Sequence, residues 1–206
     1  MRVLACVTAA AAALLVAGCG DSPEDSPATA PAAPSVSDVP AIKGWSGVHG
    51  VLVPLGTTDG PTSGAGEPFT GYSHTPQGAA LAAIDQSVQL STATDNSWSR
   101  VLSVVAASGP GRDQFAVNRA LLSASDIVDP AMAPAIVGYL FTDYTDTRAT
   151  LDIVQRFPDT SLASARTTVV WVGTDWKLDL PTSSATSPVT ALTEIPSAMV
   201  DLEATR

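Results

Sequence analysis

Basic residues, aromatic residues and cysteine are all scarce in this sequence of 206 residues. Ten Lys and Arg stand against twenty Asp and Glu, which gives a formal net charge of −10. A nucleic-acid-binding surface needs clustered cations, so this balance argues against that class of protein. Aromatic residues make up only 5% of the chain, and alanine supplies much of its 45% hydrophobic fraction. We therefore expect a small core.

A second long apolar run is also missing, which argues against a protein that crosses a membrane several times. The single run covers residues 3–16; Arg2 precedes it and small residues follow it. This three-part arrangement is typical of a secretory signal, and the run is shorter than the roughly 20 residues of a stable membrane span. The sequence thus predicts an exported protein whose residues 1–18 form a signal peptide that is removed.

The end of this signal, Val16-Ala17-Gly18-Cys19, resembles the bacterial lipobox, in which the cysteine is lipidated and becomes the first mature residue. An ordinary signal peptide that happens to end near a cysteine is the alternative. Because Cys6 lies in the removed segment, Cys19 would be the only mature thiol, and no disulfide could form. More than one lipid chain on Cys19 gives stable anchoring. We therefore expect a lipoprotein on the extracytoplasmic face of the cell membrane, attached to membrane lipid through Cys19.

Composition divides the mature chain into four parts. Residues 19–43 are rich in Pro, Ala and Ser, which predicts an extended linker between lipid and domain. Residues 44–68 form a lead-in rich in Gly and Pro that packs on the domain, mostly as loop, with a short strand near Val51. Residues 69–181 carry the periodic patterns of an α+β domain. Residues 182–206 lose this periodicity and are predicted to be a flexible tail.

Three helices are predicted in the first half of the domain. Thr75-Pro76 is a helix-start signal, and that helix extends to about Leu90. The second helix follows Ser97 and ends before the glycines and proline of residues 109–111. The third spans about residues 112–124. We expect it to turn three apolar side chains inward: Phe115, Leu121 and Leu122.

The second half changes to the alternating period of strands. Four short strands are predicted, with turns between them, so they should pair as an antiparallel meander. Helices followed by strands imply an α+β fold with the helices packed on one face of the sheet. The four predicted strands cover residues 136–144, 148–157, 164–172 and 175–180.

This order of elements resembles the cone-shaped, nuclear-transport-factor-like fold that type IV secretion scaffold proteins use. Three segments, GYSHTPQGAALAA (71–83), GPGRDQF (109–115) and VVWVGTDWKLDLP (169–181), are similar to an uncharacterised actinobacterial family. The lead-in GVLVPLGTTDGPT (50–62) also fits that family, whose members are exported and often belong to conjugative elements. The resemblance implies three N-terminal helices on a curved four-stranded antiparallel sheet. It implies no enzymatic activity.

Candidate site residues are few. His49 has no second ligand at metal spacing, so a loop role is expected for it. His74 directly precedes the helix start at Thr75-Pro76, so capping or packing is expected, and a general base at the mouth of the cone is the alternative. Tyr139 and Asp143 could share one face of a strand and line a pocket, in which a buried carboxyl could act as a base. The alternative interpretation is an ordinary strand end with solvated acids. We expect no cofactor and no metal.

Our first hypothesis is a non-enzymatic, lipid-anchored protein-interaction or assembly domain with an envelope protein as partner, in a conjugation- or secretion-type complex. A small-molecule-binding or isomerase-like domain that uses Tyr139 and Asp143 is the alternative. A purely structural lipoprotein is the third hypothesis. An adaptor should display an apolar patch on its surface, whereas an enzyme should show polar groups that converge in a cavity.

Overall fold

The structure, a computed structural model, describes residues 34–64, 68–124, 129–182 and 189–206. All of them belong to one unit, Ala33–Arg206. Cys19, the predicted signal peptide and most of the predicted linker lie outside the described residues. In the described part of the chain, no helix is long and apolar enough to cross a membrane.

The lead-in folds as a β-hairpin. Strands β1 (Ile42–Val48) and β2 (Val51–Gly56) pair antiparallel and form a separate two-stranded sheet. The connecting turn consists of His49 and Gly50, with φ of 46° and 97°. Two positive φ values in a two-residue connection match the right-handed twist of paired strands, which explains the tightness of this hairpin. The sequence predicted only a short strand near Val51 in this region.

Helix α1 (Pro76–Thr92) is the central element of the fold. Its start agrees with the prediction, because the Thr75 hydroxyl accepts a hydrogen bond of 3.0 Å from the Gly78 amide. Fourteen of its 17 residues are buried. The helix packs against β2 on one side and against the larger sheet on the other, so it lies between the two sheets. Its run of alanines permits this close approach.

Helices α2 (Trp98–Val105) and α3 (Pro110–Arg119) follow, and α3 is shorter than predicted. The guanidinium of Arg119 donates to the carbonyl oxygens of Leu122 and Ala93, so the chain turns at this point. Leu121 and Leu122 consequently point outward and are 82% and 66% exposed. The expectation that both pack inward is therefore wrong, because the helical spacing that it used ends at Arg119.

The larger sheet has six strands, all antiparallel. Its principal order is β6-β5-β4-β3-β8. Strand β7 pairs with residues 162–165 of β5, and β6 pairs with residues 169–172 of the same strand. The central meander of β3 to β6 forms where the alternating pattern predicted it. The six strands are β3 (Ala135–Thr145), β4 (Arg148–Arg156), β5 (Leu162–Val172), β6 (Asp175–Leu178), β7 (Val189–Leu192) and β8 (Val200–Asp201).

The predicted architecture of three N-terminal helices on a four-stranded sheet is wrong. The fold is α+β, but a hairpin precedes the helices and forms a second sheet, so the helices lie in the middle of the chain. The larger sheet also has six strands, because the C-terminal residues add β7 and β8. The cone-shaped, four-stranded arrangement that the resemblance implied is therefore not the observed one.

The C-terminal residues depart from the prediction of a flexible tail. Beyond β7 and β8, Glu203–Thr205 form a 3-10 helix, and Leu202 is completely buried. The sequence contains only isolated apolar residues here, without a period. They acquire order because they pair with the edges of a sheet that other parts of the chain have already built.

Candidate functional site

The predicted pocket residues Tyr139 and Asp143 are not brought together. The pairing of β3 with β4 shifts register between Phe141 and Asp143, which marks a β-bulge. An extra residue reverses the alternation of side chains, so Tyr144 rather than Asp143 continues the inner face. Tyr139 is completely buried, whereas Asp143 is exposed. The two residues therefore do not form a carboxylate–phenol pair.

The inner face instead carries a row of aromatic rings. Tyr139 contacts Phe141 edge-to-face at 5.5 Å between centroids, and Phe141 contacts Tyr144 at 5.6 Å. Tyr144 in turn lies 6.4 Å from Trp176, which is completely buried and donates its indole N–H to the Ser73 carbonyl oxygen. Edge-to-face geometry is favourable for such rings. Tyr139 and Trp176 of this row belong to the core, and Phe141 and Tyr144 pack against it.

His74 closes the row at the surface. Its ring stacks on Trp171 with centroids 4.0 Å apart and an interplanar angle of 10°. Its Nε2 atom also forms a hydrogen bond with the Asp146 carbonyl oxygen. His74 thus joins the start of α1 to the β3–β4 turn, as the packing interpretation expects.

Helix α1 carries a buried carboxyl that the sequence analysis did not select. Asp85 is completely buried, and its Oδ2 atom accepts a 2.8 Å hydrogen bond from the Tyr72 hydroxyl. Burial raises the pKa of Asp85 well above its ordinary value, although the hydrogen bond from Tyr72 acts in the opposite direction. Burial also raises the pKa of Tyr72, and the nearby Asp85 and Asp175 raise it further. Burial therefore favours the neutral form of both groups.

Two glutamines on α1 are buried next to Asp85. The Gln86 amide donates to the Trp176 carbonyl oxygen at 2.8 Å, and the Gln89 carbonyl accepts from the Phe69 amide at 3.1 Å. These bonds attach the segment before α1 and strand β6 to the helix. A single sequence does not distinguish buried glutamines from solvated ones. Polar residues in an apolar helix normally mark its exposed face, whereas α1 is buried on nearly all sides.

Two further carboxylates organise the entry to α1. Asp59 accepts hydrogen bonds from the hydroxyls of Ser73 and Thr75, at 2.6 and 2.7 Å. Asp175 accepts from the backbone amides of Gly71, Tyr72 and Trp176, at 2.9 to 3.0 Å. Their acceptor positions are thus used to hold the chain, which explains the local turn geometry. Within the four described ranges, no three His, Cys, Asp or Glu residues are grouped as metal ligands.

The two arginines of α3 have separate roles. Arg119 is buried and donates to Asp95 at 2.9 Å, and its guanidinium lies 5.7 Å from the Trp98 ring centroid. Arg112 donates to the Ser108 hydroxyl. Both guanidiniums therefore have hydrogen-bond partners within the fold.

An apolar surface lies at the C-terminal end of α3. Val117, Leu121 and Leu122 are 61%, 82% and 66% exposed, and Val117 and Leu121 are four residues apart. We call these three residues the α3 patch. Monomeric proteins seldom leave several large aliphatic side chains together in water, so such groups mark interaction surfaces. Of these three residues, Leu121 and Leu122 were predicted to face the core, whereas Val117 was not predicted as a core or a surface residue.

An open cavity of about 540 Å³ lies near the β4–β5 turn. Met132, Phe157 and Pro158 supply most of its apolar wall, and Asp159 and Ser161 stand beside them. The Asp159 carboxylate accepts from the amide and the hydroxyl of Ser161, which lowers its pKa. These hydrogen bonds stabilise the β4–β5 turn, so the Asp159 carboxylate has a structural role there.

Fold and surface together define an α+β domain with two antiparallel sheets, a buried apolar helix that carries a few polar side chains, and an exposed apolar patch. The chain belongs to the family described as Domain of unknown function (DUF8175), whose model matches residues 7–198. No curated protein and no solved structure matches the chain.

Proposed function

We propose that this protein is a membrane-anchored extracytoplasmic lipoprotein that acts as a non-enzymatic protein-interaction or assembly domain. The observation that carries the interaction role is the α3 patch, where three large aliphatic side chains lie in water within six residues. The envelope complex that it serves is of the conjugation or secretion type, which the similarity to exported, conjugative-element proteins suggests.

The energy available at the α3 patch indicates the kind of contact. Complete burial of a Val or Leu side chain is worth about 1.5–3 kcal/mol. Three such side chains supply about 4.5–9 kcal/mol. Because association itself costs several kcal/mol, this falls short of the roughly 8 kcal/mol net of a micromolar complex. The patch fits the apolar centre of a larger interface whose rim adds further contacts, or a transient contact within an assembly that is concentrated on a membrane.

Photo-crosslinking from the α3 patch tests the interaction role. A photoreactive amino acid replaces Leu121 in the full chain, in cells that produce it naturally. The matched control carries the same amino acid at Ser103, an exposed polar position on α2. We expect a discrete crosslinked product from position 121 alone, and its loss when Val117→Ser and Leu122→Ser are added. Equal products from both positions would contradict the proposal.

The lipid anchor is tested at its proposed attachment residue. Cells that express the full chain are labelled with a palmitate analogue, and the label on the protein is measured for Cys19→Ala and Cys6→Ala. Label should disappear with Cys19→Ala only, because Cys6 belongs to the segment that is removed. Label that persists in Cys19→Ala shows that the anchor is elsewhere.

A further inference from the structure

The last eight residues bind to one edge of the larger sheet like a docked peptide. We call residues 199–206 the C-terminal segment. Its strand β8 pairs antiparallel with Gly138 and Tyr139 of β3, and the Leu202 amide donates to the Val137 carbonyl oxygen at 2.9 Å. A Cβ atom at Gly138 would lie 2.2 Å from the Val200 carbonyl oxygen. Glycine at this position therefore permits the close approach of a strand.

Side chains of the C-terminal segment fill specific places. Val200 and Leu202 are 6% and 0% exposed, so two aliphatic side chains two residues apart enter the core. The carboxylate of Glu203 accepts hydrogen bonds from both terminal nitrogens of Arg156. Such two-point pairing of a guanidinium with a carboxylate has directional specificity.

The end of the segment is held by Trp45 of the hairpin. The indole N–H donates to the Thr205 carbonyl oxygen at 3.1 Å, and the Arg206 guanidinium lies 4.6 Å from the Trp45 ring centroid. The same guanidinium donates to the Ile136 carbonyl oxygen at 2.8 Å. Backbone pairing, two apolar positions, an ion pair and a cation–π contact together make a complete recognition site for an extended peptide.

The chain's own segment uses this edge only in part. β8 pairs with two of the eleven residues of β3, and the ladder ends at Tyr139. Residues 193–198, which lead to the segment, are largely exposed. In an antiparallel strand, residues that precede Val200 would continue along Leu140 and Phe141 up to the bulge. A partner strand that starts earlier can therefore form more backbone hydrogen bonds than the chain's own segment does.

We propose that the β3 edge, with Arg156 and Trp45, is a strand-accepting site that the C-terminal segment occupies until a partner displaces it. The occupant is an extended segment of a partner protein with two aliphatic residues two positions apart, a carboxylate directly after the second, and a guanidinium three residues further. This inference rests on the proposed function, because it gives the interaction domain a second contact surface and a defined partner chemistry.

The test uses a fluorescent synthetic peptide with the sequence of residues 196–206 and measures its binding to the purified full chain by fluorescence anisotropy. Glu203→Lys places two cations together and weakens the chain's own segment. The matched control Glu194→Lys makes the same charge change at an exposed residue before the segment. We expect Glu203→Lys to bind the peptide roughly tenfold more tightly than the wild type and Glu194→Lys do.

Two further variants locate the peptide. Arg156→Glu should lose the peptide and regain it when the peptide carries Lys in place of Glu203. Gly138→Ala should abolish peptide binding, because its Cβ would lie 2.2 Å from the carbonyl oxygen of the docked strand. Gly47→Ala is the control and should bind the peptide normally, because its Cβ meets nothing within 4 Å. Arg206→Ala, with circular dichroism as a check of folding, replaces Glu203→Lys if that variant is unfolded.

The inference is overturned if no folded variant binds the peptide. It is also overturned if Arg156→Glu binds the original peptide and the peptide with Lys at position 203 equally well. Exchange of segments between two copies, detected as mixed dimers without peptide binding, also overturns it. The crosslinking assay at Leu121 is independent of this site. If crosslinking at Leu121 fails but the peptide binds, the interaction role of the α3 patch is wrong and the strand-accepting site stands. If crosslinking succeeds but the peptide does not bind, the strand-accepting site is wrong.

Discussion

Replacement of Asp85 by Asn should make the protein more stable at neutral pH. Asp85 is completely buried, its Oδ2 atom has one hydrogen bond, and its Oδ1 atom has no partner among the described residues. Burial raises the pKa of this carboxyl in the folded state, so the fold selects its neutral form. An amide is neutral at every pH and still offers an acceptor to the Tyr72 hydroxyl.

The sign and size follow from proton linkage. Because the folded pKa lies above the unfolded one, the stability that neutral Asp85 contributes is complete below the unfolded pKa of about 4. It is lost as the pH rises toward the raised folded pKa, by about 1.4 kcal/mol for each pH unit. Across two pH units of this window, the wild type should therefore lose about 2.7 kcal/mol relative to Asp85→Asn.

Urea unfolding followed by tryptophan fluorescence measures this difference between pH 5 and pH 8. Asp143→Asn is the matched control, since it removes the same charge from an exposed position of β3. We expect Asp85→Asn to flatten the pH dependence of the unfolding free energy and Asp143→Asn to preserve it. If Asp85→Asn is destabilised equally at every pH, then Asp85 is ionised in the folded protein and our reasoning is refuted.

Two other substitutions test the contacts that position α1 and α3. Gly111→Ala should lower the unfolding free energy by about 3 kcal/mol, because its Cβ would lie 1.7 Å from the Leu180 carbonyl oxygen. A thermal melt measures this loss, and an unchanged melting temperature would contradict the prediction. Asp175→Ala removes the acceptor of three backbone amides and should cost about 2–3 kcal/mol in urea unfolding. A loss below 0.5 kcal/mol would show that water replaces the carboxylate there.

Local signals in the sequence predicted the elements that depend on local physics. Thr75 and Pro76 start α1 because a hydroxyl cap and a fixed φ act within four residues. The alternating segments of β3 to β6 pair in sequence, because short turns bring consecutive strands together.

Features that depend on distant contacts escaped prediction. The bulge in β3 exchanges Asp143 for Tyr144 on the inner face, and one extra residue in a strand leaves no mark in its period. Leu121 and Leu122 follow the helical spacing of α3, but buried Arg119 ends the helix before it reaches them. The C-terminal segment has no period of its own, and its structure depends on the edge of β3 and on contacts with Arg156 and Trp45.

The contact between Trp45 and Thr205 has a consequence for the topology of the domain. It places the first strand of the fold and its final residues side by side, joined by a hydrogen bond of 3.1 Å. The folded chain is thus nearly a closed ring, in which a short linker could join Arg206 to the residues before Ile42. New termini could then be opened at the exposed Gly173–Thr174 turn, because both β5 and β6 keep their partners there.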